Sequence, residues 1–390
     1  MGATLKIRAQ VSESAIVRAV FLFISCYEGT SFEQGRSQSA SAIAWPANAV
    51  GFAEQRRVIL VWAPQKGCTG IPTCRCAIVN DMAEDSSIET LSKPLSGLHL
   101  LLTYECNYAC DHCFVWGGPS QTGTMTVDTV EHILGEAEAL GTVEWIYFEG
   151  GEAFLYFAML RTGIRLAKEH GFKVGIVTNA YWATTDADAE EWLRPLAGSI
   201  DDLSVSSDAY HGSDEGVNQP EIARRVAKRL GIPVDFISVA APGACDVPGA
   251  AGQLPVGESA VLYRGRAADK LASLVEAKPW QQFTECPWED LRTPERVHVD
   301  AFGNLHICQG ISIGNLLERP LADIMGEYDP DSHPIVGPLL VGGPAEIVRQ
   351  YDLAHEDGYA DHCHLCYKSR CQLRERFPDV LTPDQMYGDA

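Results

Sequence analysis

The sequence predicts an α/β fold, a partial (β/α)6 parallel barrel with a small C-terminal cysteine-rich extension, and three observations carry that expectation. Between Leu98 and Val239, short apolar runs alternate with segments whose apolar residues recur at helical spacing, the mark of parallel strands joined by helices. Polar clusters follow directly after four of those runs, where parallel barrels carry their chemistry. At 390 residues and 46% hydrophobic content, the chain is long enough to bury one such core and a smaller unit beside it.

Residues 1–81 do not share the pattern. Ser31 to Ala49 is rich in Ser, Ala and Gln without a sustained period, so this stretch reads as a poorly structured extension or as sequence upstream of a native start at Met82. A small metal-binding prelude on Cys68, Cys74 and Cys76 is the rival reading. Residues 82–280 then form the expected barrel core and 281–390 the extension. The first strand is read over Leu98 to Thr103. A helix follows from about Thr126, with Val127, Val130, Ile133, Leu134, Ala137 and Leu140 on one face and Gly141 ending it. Later strands are expected at Glu144 to Phe148, Lys173 to Thr178, Asp202 to Val205 and Pro233 to Val239, and a sixth around Ala260 to Tyr263. Helices fill the gaps at about Leu155 to His170, Ala187 to Leu196 and from Pro220, a residue suited to a first helical turn. The Pro/Gly-rich segment Ala240 to Gly257 is expected to be a long active-site loop.

The formal charge of −22 argues against nucleic acid as a partner, because binding a polyanion needs clustered Lys and Arg. No stretch approaches the length of a membrane span. The run Ala19 to Cys26 is too short, and Phe23 is a poor residue three before a lipidated cysteine. Thirteen cysteines, an odd number and clustered, fit metal ligation in a reducing, cytoplasmic compartment better than a disulfide framework.

Cys106, Cys110 and Cys113 stand in C-x3-C-x2-C spacing just past the first strand. Three close thiolates are an incomplete set, since structural zinc and ordinary iron-sulfur clusters take four protein ligands, so one iron is left open to another ligand. A zinc knuckle completed by His112 or His99 is the alternative. With His112 before the last cysteine, the motif resembles that of the radical S-adenosylmethionine (SAM) superfamily, in which the amino and carboxylate groups of SAM chelate the open iron of a 4Fe-4S cluster. The resemblance extends to Gly150-Gly151-Glu152, similar to the motif that holds the ammonium of SAM, with Ala153 for the usual proline. It extends also to Thr178-Asn179-Ala180, with Ala for the family's Gly, and to Ser206 and Asp208, placed like the residues that reach the ribose or methionine carboxylate. Taken alone, each of these can be an ordinary turn. By the same resemblance His112 packs beside adenine, and Tyr210 and His211 are candidates for substrate contact or proton donation. The reaction it implies is reductive cleavage of SAM to methionine and a 5'-deoxyadenosyl radical that abstracts hydrogen from substrate, with the electron supplied by a donor such as flavodoxin or ferredoxin.

Further on, Arg296 to Asp300 and Asn304 to Cys308 read as a hairpin turning at Phe302-Gly303. Gly303-x4-Cys308, Gly314-Asn315, Pro320-Leu321 and Cys363-x2-Cys366-x4-Cys371 resemble the SPASM or shorter twitch extension of radical SAM peptide-modifying enzymes. With Cys286 they offer five candidate ligands, fewer than the full pattern. The expected use is one auxiliary 4Fe-4S cluster on Cys286, Cys308 and two of Cys363, Cys366 and Cys371. Zinc on the last three with His362 or His364 is the alternative. Gln309 follows Cys308 where the dehydrogenating branch has an Asp base, which argues against a sulfatase-maturing reaction. The expected activity is therefore peptide or protein side-chain modification. The alternatives are the same chemistry on a sugar or nucleoside, and a non-catalytic zinc-binding scaffold.

Overall fold

Leu98 and Leu100 are fully buried, while His99 between them points to the opposite face, and this period-2 alternation organises the molecule. The computed structural model describes residues 94–211, 217–244 and 258–389. The sequence readings on 1–81, including Cys68, Cys74 and Cys76, and on most of the Ala240 to Gly257 loop lie outside the described residues.

Five parallel strands follow one another in space as they do in sequence: β1 (Gly97–Leu101), β2 (Trp145–Glu149), β3 (Lys173–Thr178), β4 (Asp202–Ser206) and β5 (Val234–Ile237). Winding always in the same direction leaves one sheet face to the connecting helices and the other free as a barrel interior. The helices are α1 (Val127–Leu140), α2 (Phe157–Glu169), α3 (Asp186–Leu193) and α4 (Gln219–Arg229). Against them pack Leu98, Leu100, Ile146, Phe148, Val174, Ile176, Leu203 and Val205, all fully buried. The expected helix signals are present. Thr126 caps α1 by accepting from Thr129 N, Gly141 ends it in the left-handed region at φ 76°, and Asn218 caps α4 ahead of Pro220. On the interior face, a Cβ at Gly175 would lie 2.2 Å from the Tyr147 ring, so glycine there makes room for an aromatic on the neighbouring strand.

The expected sixth parallel strand, Ala260 to Tyr263, is not a ladder. A single bridge between Val239 and Ser259 marks its place, and the chain turns at once into α5 (Arg266–Lys270). Beyond α5, the short β6 (Lys278–Pro279) pairs with the equally short β10 (Gly358–Tyr359), while β7 (Arg296–Val299) lies parallel to β1 on its free edge. The expected hairpin continues into β8 (Asn304–Cys308), and a third antiparallel strand, β9 (Ile311–Asn315), extends the same sheet to the order β5-β4-β3-β2-β1-β7-β8-β9. Three helices complete the extension: α6 (Leu321–Glu327), α7 (Val336–Tyr351) and α8 (His362–Leu373). Inside α7 the helix breaks at Gly342-Gly343. A Cβ at Gly343, where φ is 61°, would lie 2.2 Å from the backbone nitrogen of Glu285, so the break lets the chain just before Cys286 come close.

Candidate active site at the carboxyl ends of the strands

The loop after β1 carries Cys106, Cys110 and Cys113. Backbone N–H groups point at two of the sulfurs, Tyr108 N at Cys106 Sγ (3.4 Å) and Gly117 N at Cys113 Sγ (3.2 Å), and Asn179 Nδ2 lies 3.6 Å from Cys106 Sγ. Burial, helped by the nearness of the other thiols, pushes Cys106 and Cys110 up to about 12. Bare thiolates are thus not sustained here, whereas N–H donors aimed at sulfur suit thiolates whose charge a metal has taken up. The three cysteines and their donors fit an iron-sulfur cluster.

Next to this loop, the turn after β2 works as an extension of the sheet. Gly151 N donates to Thr103 O (2.6 Å) and Glu152 N to Glu105 O (2.9 Å). Cβ atoms at Gly150 and Gly151 would lie 2.5 Å from Thr103 O and 2.2 Å from Glu105 O. The glycines are required first by the approach of the cysteine loop itself. Glu152 is buried, and its carboxylate accepts from Phe154 N (3.1 Å), Thr178 Oγ1 (2.8 Å) and Asn179 N (2.8 Å). Ala180 sits at φ 56°, a region that favours glycine, at a cost of roughly 1–2 kcal/mol.

Burial pushes the Glu152 carboxyl up to about 7 against those three donors, which sets a pH dependence. The unfolded chain ionises near 4.5, so between that value and about 7 the folded state binds the extra proton, and stability falls as pH rises through the window. Glu152→Gln removes the effect. The wild-type protein without ligand is expected to lose on the order of 3 kcal/mol relative to the variant between pH 5 and pH 8, read from denaturant midpoints at each pH. Parallel curves would refute it.

Past β4, Ser206 is half-buried and Asp208 buried. Asp208 Oδ1 accepts from Tyr210 N (3.0 Å) and lies 2.8 Å from His211 Nδ1, while Oδ2 accepts from Val239 N (3.2 Å) and lies 3.5 Å from His112 Nε2. Burial opposes the charged form, yet the bonds from the two histidines outweigh it and hold Asp208 well below the usual carboxylate range. His112 stacks on Tyr210 with ring centroids 4.4 Å apart. The candidates from β1 to β4 thus lie together at one end of the sheet.

Sequence reasoning missed the residues that lock this end. Arg266 is buried, and its guanidinium donates to Cys110 O (2.7 Å), Gly117 O (2.8 Å) and Trp116 O (3.1 Å), while its backbone N–H donates to Cys113 O (2.9 Å). Gly265 makes the approach possible, since a Cβ there would lie 2.6 Å from Cys113 O. Arg266→Ala strips three carbonyls of a charged donor and is expected to cost about 3 kcal/mol, seen as a lower melting temperature. Arg266→Lys, which cannot span three acceptors, is expected to rescue less than half.

A second cysteine set lies in the extension. Cys286, Cys308, Cys363 and Cys366 line one pocket with Arg264, Arg370 and His362. Cys371 is exposed and does not line it, and His364 is turned away, its Nδ1 accepting from Ala360 N (3.2 Å). Arg264 Nη1 donates to Cys308 Sγ at 3.1 Å, and the Nε–H groups of Arg264 and Arg370 are buried with no partner. Burial raises the thiols, Cys286 to about 12 and Cys363 well above its ordinary value. Four thiols with unused cationic donors fit an anionic cluster.

The pattern defining the Radical SAM superfamily matches residues 100–237. The S-adenosylmethionine-dependent nucleotide dehydratase of Selenomonas ruminantium is 34% identical over 84 residues, 21% of this chain and 29% of that protein. YydG of Bacillus subtilis (strain 168), named for peptide biosynthesis, is 26% identical over 111 residues, 28% of this chain and 35% of that protein. The chain thus spans about a third of the length of these curated relatives. Among solved structures, native anSMEcpe with bound AdoMet and Cp18Cys peptide gives a TM-score of 0.42 at 13% identity, covering 73% of this chain and 97% of that one. Residues 100–237 of this chain are thus a Radical SAM superfamily domain.

Proposed function

We propose that the protein is a radical SAM enzyme that uses a 5'-deoxyadenosyl radical to modify a side chain of a peptide or protein. One observation carries the reading: three thiols on a single loop, with two backbone N–H groups and Asn179 directed at their sulfurs, lie beside the buried carboxylate of Glu152 at the carboxyl ends of parallel strands. When bound, a 4Fe-4S cluster and SAM supply reductive cleavage of the sulfonium and the radical that abstracts hydrogen. Cys106, Cys110 and Cys113 would hold that cluster and leave one iron for SAM. Glu152, Gly150 and Gly151 would take the ammonium of SAM, with Thr178 and Asn179 holding the Glu152 carboxylate in place. Ser206 and Asp208 would meet the ribose or the methionine carboxylate, and His112, held flat by Tyr210, would pack against adenine. Tyr210 and His211 would supply a substrate contact or a proton donor.

In this reading residues 281–390 are a SPASM- or twitch-like extension whose auxiliary 4Fe-4S cluster sits on Cys286, Cys308, Cys363 and Cys366. A flavodoxin or ferredoxin would deliver the electron. Among the described residues no helix is long and apolar enough to cross a membrane. The names of the relatives divide between peptide biosynthesis and nucleotide dehydration, and the second supports the same chemistry on a small molecule such as a nucleoside. Anaerobic enzyme with dithionite and SAM is expected to form 5'-deoxyadenosine. A zinc-only protein without SAM turnover would sink the enzyme reading. Retention of a leader-type peptide supports the first substrate class. Turnover of a nucleotide or sugar without peptide affinity supports the second.

A further inference from the structure

Within the barrel, one polar cluster belongs to neither cysteine set. His99 on β1 and His298 on β7 are register partners across two parallel strands, so their side chains leave the same face side by side, with ring centroids 5.0 Å apart. Glu149 on β2 pairs with Leu101, two residues along β1 from His99, and therefore shares that interior face. Its Oε2 lies 3.5 Å from His99 Nδ1 and its Oε1 3.1 Å from His298 Nε2. One ligand atom from each residue falls within 4.8 Å of the other two.

We propose that His99, Glu149 and His298 form a divalent-cation site of the zinc class, with two imidazoles and one carboxylate as ligands. Ligand type supports this, because two His and one carboxylate is a common set for a catalytic zinc or for other divalent ions that keep positions open. Placement supports it too. All three residues stand on adjacent strands of one ladder, so the ligand atoms are held by backbone pairing and not by a loop. His99 is held by stacking on Tyr147 at 4.7 Å, and His298 meets the edge of Phe114.

The site is also accessible. His99 and Tyr147 line a cavity of about 780 Å³, with Trp145, Trp288, Glu289 and Arg296 among its other walls. The three ligand side chains keep 12–18% of their surface exposed. Of the three ligands His99 is the one that lines this cavity, so an ion held by the set would border the cavity on the His99 side. The ligand set carries one negative charge when both imidazoles are neutral, so a dication leaves a net charge of only +1 to be buried.

Fully iron-loaded enzyme, whose candidate cysteines are occupied, offers the clean test. Equilibrated with zinc and then passed through a desalting column, the wild type is expected to retain about one zinc per chain, and the zinc K-edge absorption spectrum is expected to show only N/O neighbours at about 2.0–2.1 Å. His99→Gln, Glu149→Gln and His298→Gln are each expected to lower zinc retention at least tenfold with iron content unchanged. No retained zinc in the wild type, sulfur neighbours at about 2.3 Å, or equal retention in all three variants would overturn the proposal. Because the wild-type spectrum decides the ligand type alone, a variant that fails to fold does not rescue it.

Discussion

Replacing Cys106, Cys110 and Cys113 together by Ala is expected to abolish 5'-deoxyadenosine formation and to cut bound iron from about eight to about four per chain. The structure makes this loss readable as a loss of ligands and not of fold. The cysteine loop is held independently of its sulfurs, by the Arg266 guanidinium on three of its carbonyls and by the Gly151 and Glu152 backbone N–H groups on Thr103 and Glu105. Only Cys106 among the three is buried, so truncation to Ala opens little core space. The remaining iron should sit in the extension, and its spectrum should match that of the auxiliary cluster in intact enzyme. A triple variant that still forms 5'-deoxyadenosine under dithionite would show that the reductive chemistry does not depend on this loop.

How far the sequence could be read depended on whether the information was local. Lys173–Thr178 is the strand expected to the residue, because an apolar run between Gly171 and a polar Thr-Asn pair leaves little freedom at either end. Thr126 and Gly141 bracket α1 as expected, since a cap needs only its own turn. The three-cysteine motif stood out for the same reason, as its thiols lie within a few residues of each other. The sixth strand was not. Ala260 to Tyr263 is apolar enough, but the chain is diverted by the docking of Gly265 and Arg266 against the cysteine loop, more than 140 residues earlier, and no local pattern encodes that contact. The strand Ile311–Asn315 was hidden because its Gly314-Asn315 end read as a motif instead of a ladder. His99 stood in a run read as an apolar strand and Glu149 one residue past the end of another, and only the register of three strands brings them to His298. Arg264 and Arg370 were invisible because arginine is seldom an inward-facing residue, and their place in this pocket makes sense beside four thiols.

Which two of the last three cysteines would serve the proposed auxiliary cluster was left open by spacing, and helix geometry favours one pair, which gives the second large effect. Cys363 and Cys366 are three apart on α8 and share a face, whereas Cys371 lies five residues past Cys366, about 140° further round. Cys363 stands in the first turn of α8, capped by Asp361, where free backbone N–H groups and the helix dipole favour negative charge. Arg370, buried one turn past Cys366, and the half-buried Arg264 on Cys308 bring two cations to the same pocket and offset the charge that ligated thiolates would bring. The double variant Cys363→Ala with Cys366→Ala is expected to lose about four irons and the second cluster's signal, to keep 5'-deoxyadenosine formation uncoupled from product, and to lose product itself by at least a hundredfold. Cys371→Ala is expected to keep full iron and at least half of wild-type turnover. Loss of the second cluster in Cys371→Ala, with retention in the double variant, would move the ligand set to the other side of α8 and with it the role assigned to the two arginines.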